Sequence, residues 1–152
     1  MISYEDFKKV EIRAGKILSA EKVPNTDKLL RLTVDFAEFE EKPLASVGNE
    51  EVQNSSSAII EDKEEQKQDS RDQLKAQIQK IPKIRQIISG ISLHFPDHSV
   101  LVGKTCMFVT NLEPRMIKGF ESNGMILAVS TKEGGFSLLE PNSTISPGTL
   151  AS

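Results

Sequence analysis

From Val10 onward apolar and polar residues alternate. Val10, Ile12 and Ala14 fall to one side and Glu11 and Arg13 to the other, the period of a half-buried strand. After Gly15 the phase blurs through Ile17 and Leu18, as a glycine bulge would produce, so a long, bent first strand is predicted. Pro24-Asn25-Thr26-Asp27 reads as a turn. Beyond it Leu30, Leu32, Val34 and Phe36 alternate with Arg31, Thr33 and Asp35, the clearest strand signal in the chain. Ahead of all this, Ser3-Tyr4-Glu5-Asp6 predicts a short helix, with Ser3 as N-cap and acids in the first turn favoured by the helix dipole.

The rhythm breaks over residues 39–83, where Asn54-Ser55-Ser56-Ser57 is low in complexity and Glu61 to Gln73 is almost entirely polar. The pattern predicts a solvated insertion, disordered or partly helical. A helix would use Leu74, Ile78 and Ile81 at i, i+4 and i+7 and stop at Pro82. Its length is tolerable because loop-closure cost grows only logarithmically. Strand character resumes at Ile84 to Ile88 and ends at Ser89-Gly90. Lys104 to Thr110 suits a strand buried on both faces. Met125 to Val129 and Phe136 to Leu139 form the last strands, joined by a turn at Glu133-Gly134-Gly135. Five or more short strands with glycine and proline punctuation predict a small β-barrel of the size and strand number of an OB-fold.

With 152 residues and 38% apolar side chains, the chain can supply one modest core, so a single domain carrying an appendage is expected. No apolar run approaches eighteen residues, and Met1 to Lys9 is too acidic and polar for a signal peptide, which predicts a soluble, cytoplasmic protein. The net charge of −3 argues at first against a polyanionic partner, but its location changes the picture. Residues 39–83 hold ten acidic and seven basic side chains, leaving twelve of each elsewhere. Any polyanion site must therefore come from local clustering, with modest, salt-sensitive affinity.

Catalysis finds no machinery. His94 and His98 have a metal-ligand spacing, but Pro96 between them breaks the helix that spacing needs, so a surface loop is expected and neither metal nor cofactor. They are the only histidines, which leaves no Ser/His/Asp or Cys/His set, and Gly134-Gly135 reads as a turn, not a phosphate loop. Cys106, the one cysteine, sits in the run Met107-Phe108-Val109 and predicts a buried, unreactive thiol. Nor do the aromatics suit a general single-strand binder. Phe7, Phe36, Phe108 and Phe136 occupy core-like positions, which leaves Phe120 and Phe95 as candidate stackers. A folded RNA held through phosphates and shape fits better.

The stretch Asn111 to Met125 is where chemistry is presented. Rich in turn residues, it separates two buried strands, and a rigid scaffold there can display Arg115 and Lys118. Ser122 and Met125 are placed to meet a nucleotide backbone and a base face, while Asn111 is expected to cap the loop through backbone bonds. Arg31 and Arg85 point outward by alternation, with Lys28 in the preceding turn; if their strands pair, these cations approach one another on one barrel face.

Phe7 to Ile17, Pro24 to Leu29, Arg85 to Gly90 and Asn111 to Met125 resemble, in this order, the successive motifs of the tRNA-binding OB domain, which occurs alone or fused to aminoacyl-tRNA synthetases. Only residues 39–83 depart, where the family has a short turn between strands two and three; an acidic arm there would screen a basic face. The resemblance implies an all-β fold, a five-stranded OB Greek-key barrel with short helices and a C-terminal β extension. It implies a non-catalytic module that grips tRNA without reading sequence, at its elbow or outer corner, and retains it for a synthetase partner, methionyl by similarity. Arg115, Lys118, Ser122 and Met125 carry over as the contact loop, and Lys28, Arg31 and Arg85 as weaker matches. Homodimerisation is implied by the resemblance alone. No synthetase motif of the His-Ile-Gly-His or Lys-Met-Ser-Lys-Ser type occurs. A related branch of dimeric export chaperones shares the barrel, but it resembles the Glu121-Ser122-Asn123-Gly124-Met125 segment less well. A chaperone or protein-interaction module is thus the alternative.

Overall fold

The computed structural model describes residues 1–43 and 78–152. The chain divides into one compact unit of Met1–Phe39 with Pro82–Ser152 and a second of Glu40–Ile81. Of the second only the end of β2 and the start of β3 are described. The barrel and the candidate site belong to the first unit.

Ser3 caps α1 (Tyr4–Phe7), its hydroxyl accepting from the Asp6 amide at 3.1 Å. The chain then enters β1 (Ile12–Lys22), which pairs antiparallel with β2 (Leu30–Pro43) on one side and β4 (Thr105–Val109) on the other. Between β1 and β2 the Thr26 hydroxyl accepts from the Leu29 amide at 3.1 Å, and the Val23 amide donates to the Leu29 carbonyl at 3.1 Å, closing the predicted turn. With β3 (Ile78–Ser89) and β7 (Met125–Ile126) the sheet runs β3-β2-β1-β4-β7. Its two outer strands curl toward one another, because the Asn123 amide, just before β7, donates to the Gln86 carbonyl of β3 at 2.8 Å. The result is the all-β half-barrel of an OB-like fold. A second hairpin, β8 (Ala128–Ser130) with β9 (Phe136–Leu138), is the C-terminal extension. It is fastened to β4 by the Met107 amide donating to Leu139 and the Leu127 amide donating to Met107.

The alternation of β2 holds: Leu30, Leu32, Val34 and Phe36 are all buried, and they meet Ile17, Ile87, Leu101, Cys106 and Phe108 in the core. Phe36 and Phe108 pack edge to face with centroids 5.4 Å apart. Gly15 is not the bulge. It pairs regularly with Cys106, and the register slips instead between Ile17 and Ser19, leaving Leu18 outside. The glycine is required by packing, since a Cβ there would lie 2.5 Å from Phe36 Cε1 and 2.7 Å from Val34 Cγ1.

Other expectations are corrected. Phe7 is not core: it closes the four-residue α1, none of whose residues is buried, and it is 53% exposed. Ile78 and Ile81 belong to strand β3, which runs through Pro82, so the helix does not form over them; Leu74 and residues 44–77 lie outside the described residues. β4 is buried on one face at Cys106 and Phe108 and on the other at Val109, but Thr105 and Met107 on that second face are only partly covered.

Candidate functional site

The stretch Asn111 to Met125 is a β-hairpin, not an open loop. β5 (Arg115–Ile117) pairs with β6 (Phe120–Ser122), so that Arg115 faces Ser122, Met116 faces Glu121 and Ile117 faces Phe120. Lys118 and Gly119 form the turn with φ of 51° and 85°, the two positive values of a type I′ hairpin. Glycine takes such a conformation freely. For lysine it costs roughly 1 kcal/mol.

The hairpin base is fixed to β3. Gln86 Nε2 donates to the Glu121 carbonyl at 2.8 Å, beside the Asn123-to-Gln86 backbone bond. Ser122 Oγ accepts from the Ile88 amide at 3.0 Å and donates to the Gly124 carbonyl at 3.2 Å. Gly124 has φ of 139°, and a Cβ there would sit 2.9 Å from the Val109 carbonyl oxygen, so only glycine lets the strand leave at this angle.

The side chains singled out in the sequence fall into three groups around this hairpin. Arg115 and Lys118 are exposed and have no ion-pair partner among the described residues. Lys28 is likewise exposed and, among the described residues, unpaired. Met125 starts β7 with a side chain 48% exposed, and with Arg115 and Ile117 it lines a hollow of about 250 Å³ between the hairpin and Gly90.

Arg31 is shared. Its guanidinium carbon lies 5.3 Å from the centroid of the Phe120 ring, and its Nη2 pairs with Glu21 Oε2 across β1 and β2. Phe120 is therefore half-buried under a cation instead of standing clear as a stacker.

Arg85, Asn111 and Ser122 are committed to the fold. Arg85 Nη2 and Nε pair with the Glu38 carboxylate at 2.5 and 3.1 Å, its Nη1 donates to the Thr110 carbonyl at 2.7 Å, and both side chains of the pair are largely covered, at 18% and 23% exposure. β2 and β3 are neighbours, yet Arg31 and Arg85 each turn to a separate carboxylate. Asn111 braces the N-terminal segment, not its own loop: its Oδ1 accepts from the Glu11 amide at 2.8 Å and its Nδ2 donates to the Lys9 carbonyl at 2.5 Å. Beside it the Arg13 guanidinium and the Thr110 hydroxyl hold the Glu11 carboxyl below its usual range. Ser122 is 5% exposed, with its hydroxyl spent on Ile88 and Gly124.

Gln86, Asn123 and Glu21 went unseen in the sequence. Nothing in the local pattern distinguishes a strand glutamine or glutamate that meets a partner from one that faces water. Glu113 and Glu121 also flank the hairpin cations, and Glu121 accepts from Asn123 Nδ2 at 2.9 Å.

Elsewhere, a mostly apolar groove of about 500 Å³ lies between α1 and the C-terminal residues, lined by Tyr4, Phe7, Val10, Ile12 and Leu150. His94 and His98 sit in separate 3₁₀ turns, Ser92–His94 and His98–Leu101. Among the described residues no group of three His, Cys, Asp or Glu side chains converges as metal ligands, and no helix is long and apolar enough to cross a membrane. Cys106 is buried and its thiol is pushed up to about 11 by desolvation, the charge of Glu140 adding to it.

Residues 56–150 match a family whose model is described as a putative tRNA binding domain. Similar curated proteins include the methionine–tRNA ligase of Methanoregula boonei, 38% identical over 150 residues, and that of Thermotoga maritima, 32% identical over 151. These matches take in 98% and 99% of the chain but 15% and 17% of the ligases, so the chain spans about a sixth of their length. Among solved structures, a MetRS-related protein from Pyrococcus horikoshii superposes with a TM-score of 0.65 at 23% identity, covering 100% of this chain and 98% of that one. Chaperone CsaA from Bacillus anthracis gives 0.62 at 22%, covering 100% and 99%. Both show the same fold.

Proposed function

Because the chain belongs to the putative tRNA binding domain family, we propose that it is a non-catalytic module that holds tRNA through its phosphates, without reading sequence, and retains it for a methionyl-tRNA synthetase. The module acts in the cytoplasm, either free-standing or as a part of a longer synthetase. Tethering or docking of this kind raises the local tRNA concentration at a catalytic partner without adding catalytic groups.

The observation that carries the reading is the hairpin tip. A rigid type I′ turn holds Lys118 in a left-handed conformation that glycine would adopt at no cost, and Arg115 stands without an ion-pair partner among the described residues at the hairpin's start. Such strain is tolerated where the side chain is needed outside the fold. Two exposed cations on a fixed hairpin contact phosphates; neither reads a base edge, and the tRNAs gripped differ in sequence but share shape. Met125 and Ile117, in the neighbouring hollow, offer an apolar wall to an unstacked base. Ser122 serves from beneath, positioning the hairpin.

Titration of total tRNA at several salt concentrations tests this with Arg115→Ala, Lys118→Gly and the double variant. Each removed phosphate contact should flatten the slope of log K against log salt by about 0.9, and the pair by about 1.8. Lys118→Gly should be as stable as the wild type or more so, because it relieves the turn. Wild-type binding by the double variant, or binding insensitive to salt, overturns the reading.

The exposed apolar groove supports a second reading, a homodimer or chaperone-type module, with Tyr4, Phe7, Val10 and Leu150 covered by a second copy or by unfolded polypeptide. Sedimentation identifies the dimer. Suppression of aggregation of an unfolded protein, unaffected by Arg115→Ala, favours the chaperone.

A further inference from the structure

Arg31 connects the barrel to the tip half of the hairpin. Among the described residues, the hydrogen bonds from β3 to the hairpin fall at its base, at Glu121, Ser122 and Asn123. Phe120 lies next to Gly119 of the turn, and the Arg31 guanidinium rests on its ring at 5.3 Å. The same guanidinium pairs with Glu21, directly opposite on β1.

The pair is open to water, with Arg31 37% and Glu21 54% exposed. Arg85 and Glu38 are chemically alike, but that pair is largely covered and has the Thr110 carbonyl as a third partner, so no phosphate reaches it. A carboxylate and a phosphate present the same face to a guanidinium: two anionic oxygens matched to two N–H groups.

We propose that Glu21 occupies the place a tRNA phosphate takes on Arg31, and so acts as a built-in competitor that holds the affinity of this face down. The inference rests on the tRNA-binding reading above. When RNA docks on the hairpin, the phosphate displaces the Glu21 carboxylate into solvent, where it is readily hydrated, while Phe120 keeps the guanidinium in place. Arg31 is then a contact for RNA, and Glu21 sets how much free energy that contact returns. No base is involved, so the effect is equal for tRNAs of different sequence.

The test is a tRNA titration of the full chain at several salt concentrations, comparing wild type, Glu21→Gln, Arg31→Ala and the double variant. Glu133→Gln, an exposed glutamate in the turn of the C-terminal hairpin, serves as a net-charge control. Glu21→Gln should bind about two- to fivefold tighter, the range in which an exposed ion pair competes. Its log–log salt slope should stay that of the wild type, because Arg31 meets the phosphate in both, whereas Arg31→Ala should flatten the slope by about 0.9. Arg31→Ala should bind more weakly, and adding Glu21→Gln to it should change nothing. Thermal unfolding of each variant separates this from a merely structural role, which would move the melting point and leave the salt slope alone. Wild-type affinity in Glu21→Gln, the same gain in Glu133→Gln, or a gain that persists without Arg31 overturns the inference while leaving tRNA binding intact. A wild-type chain that binds no tRNA overturns the functional reading, and this inference with it.

Discussion

Ser122→Ala separates a buried brace from an RNA contact. The hydroxyl is 5% exposed, accepts from the Ile88 amide at 3.0 Å and donates to the Gly124 carbonyl at 3.2 Å. Its removal leaves the Ile88 N–H as a buried donor with no acceptor, which costs about 1–3 kcal/mol. Gly124 loses less, because a carbonyl retains a second lone pair. For a barrel of this size each kcal/mol lowers the melting point by about 4 °C, so a fall of about 4–12 °C is expected. In urea the midpoint should drop with the slope unchanged, since the surface exposed on unfolding is nearly the same. tRNA binding, measured well below the lowered transition, should keep the wild-type affinity, because the buried hydroxyl makes no contact with RNA. A variant as stable as the wild type within about 0.5 kcal/mol, yet binding tRNA several-fold more weakly at one fixed salt concentration, would show that the hydroxyl faces RNA and that the brace is incidental.

Two further outcomes test the core. Gly15→Ala should destabilise the fold: the new methyl meets Phe36, Val34 and Phe108 at 2.5, 2.7 and 3.0 Å. Overpacking of about 1–3 kcal/mol outweighs the roughly 0.4–1 kcal/mol gained by stiffening the unfolded chain, and a variant with a raised urea midpoint would contradict this. Burial raises the Cys106 thiol from 9.0 to about 11, so folding favours its neutral form. That stability is complete below pH 9 and is lost as pH rises toward 11, a difference of roughly 2–3 kcal/mol. Urea midpoints across this range should fall more steeply for the wild type than for Cys106→Ala, and parallel curves would count against it.

Much of the barrel is legible in the sequence because strand burial has a period of two and needs no partner to be seen. Leu30, Leu32, Val34 and Phe36 alternate, and all four are buried. Ser3 announces its helix for the same reason, since the amide it caps is only three residues away. Phe7, by contrast, looks apolar enough for a core, and its placement depends on whether any strand crosses α1.

The site divides along the same line. That Asn111 to Met125 presents cations, and that Arg115 and Lys118 are among them, follows from composition and turn residues. Which cations remain free does not. Arg85 is closed off by a carboxylate 47 residues away, Ser122 is occupied by an amide 34 residues away, and Arg31 is balanced between Glu21 and an aromatic ring on the hairpin. Each pairing is decided by strand register and by the curl that brings β3 to the hairpin, and both are long-range outcomes of packing one core. The local pattern alone determines which side chains can bind a phosphate; only the tertiary structure decides which of them still have an empty coordination to offer.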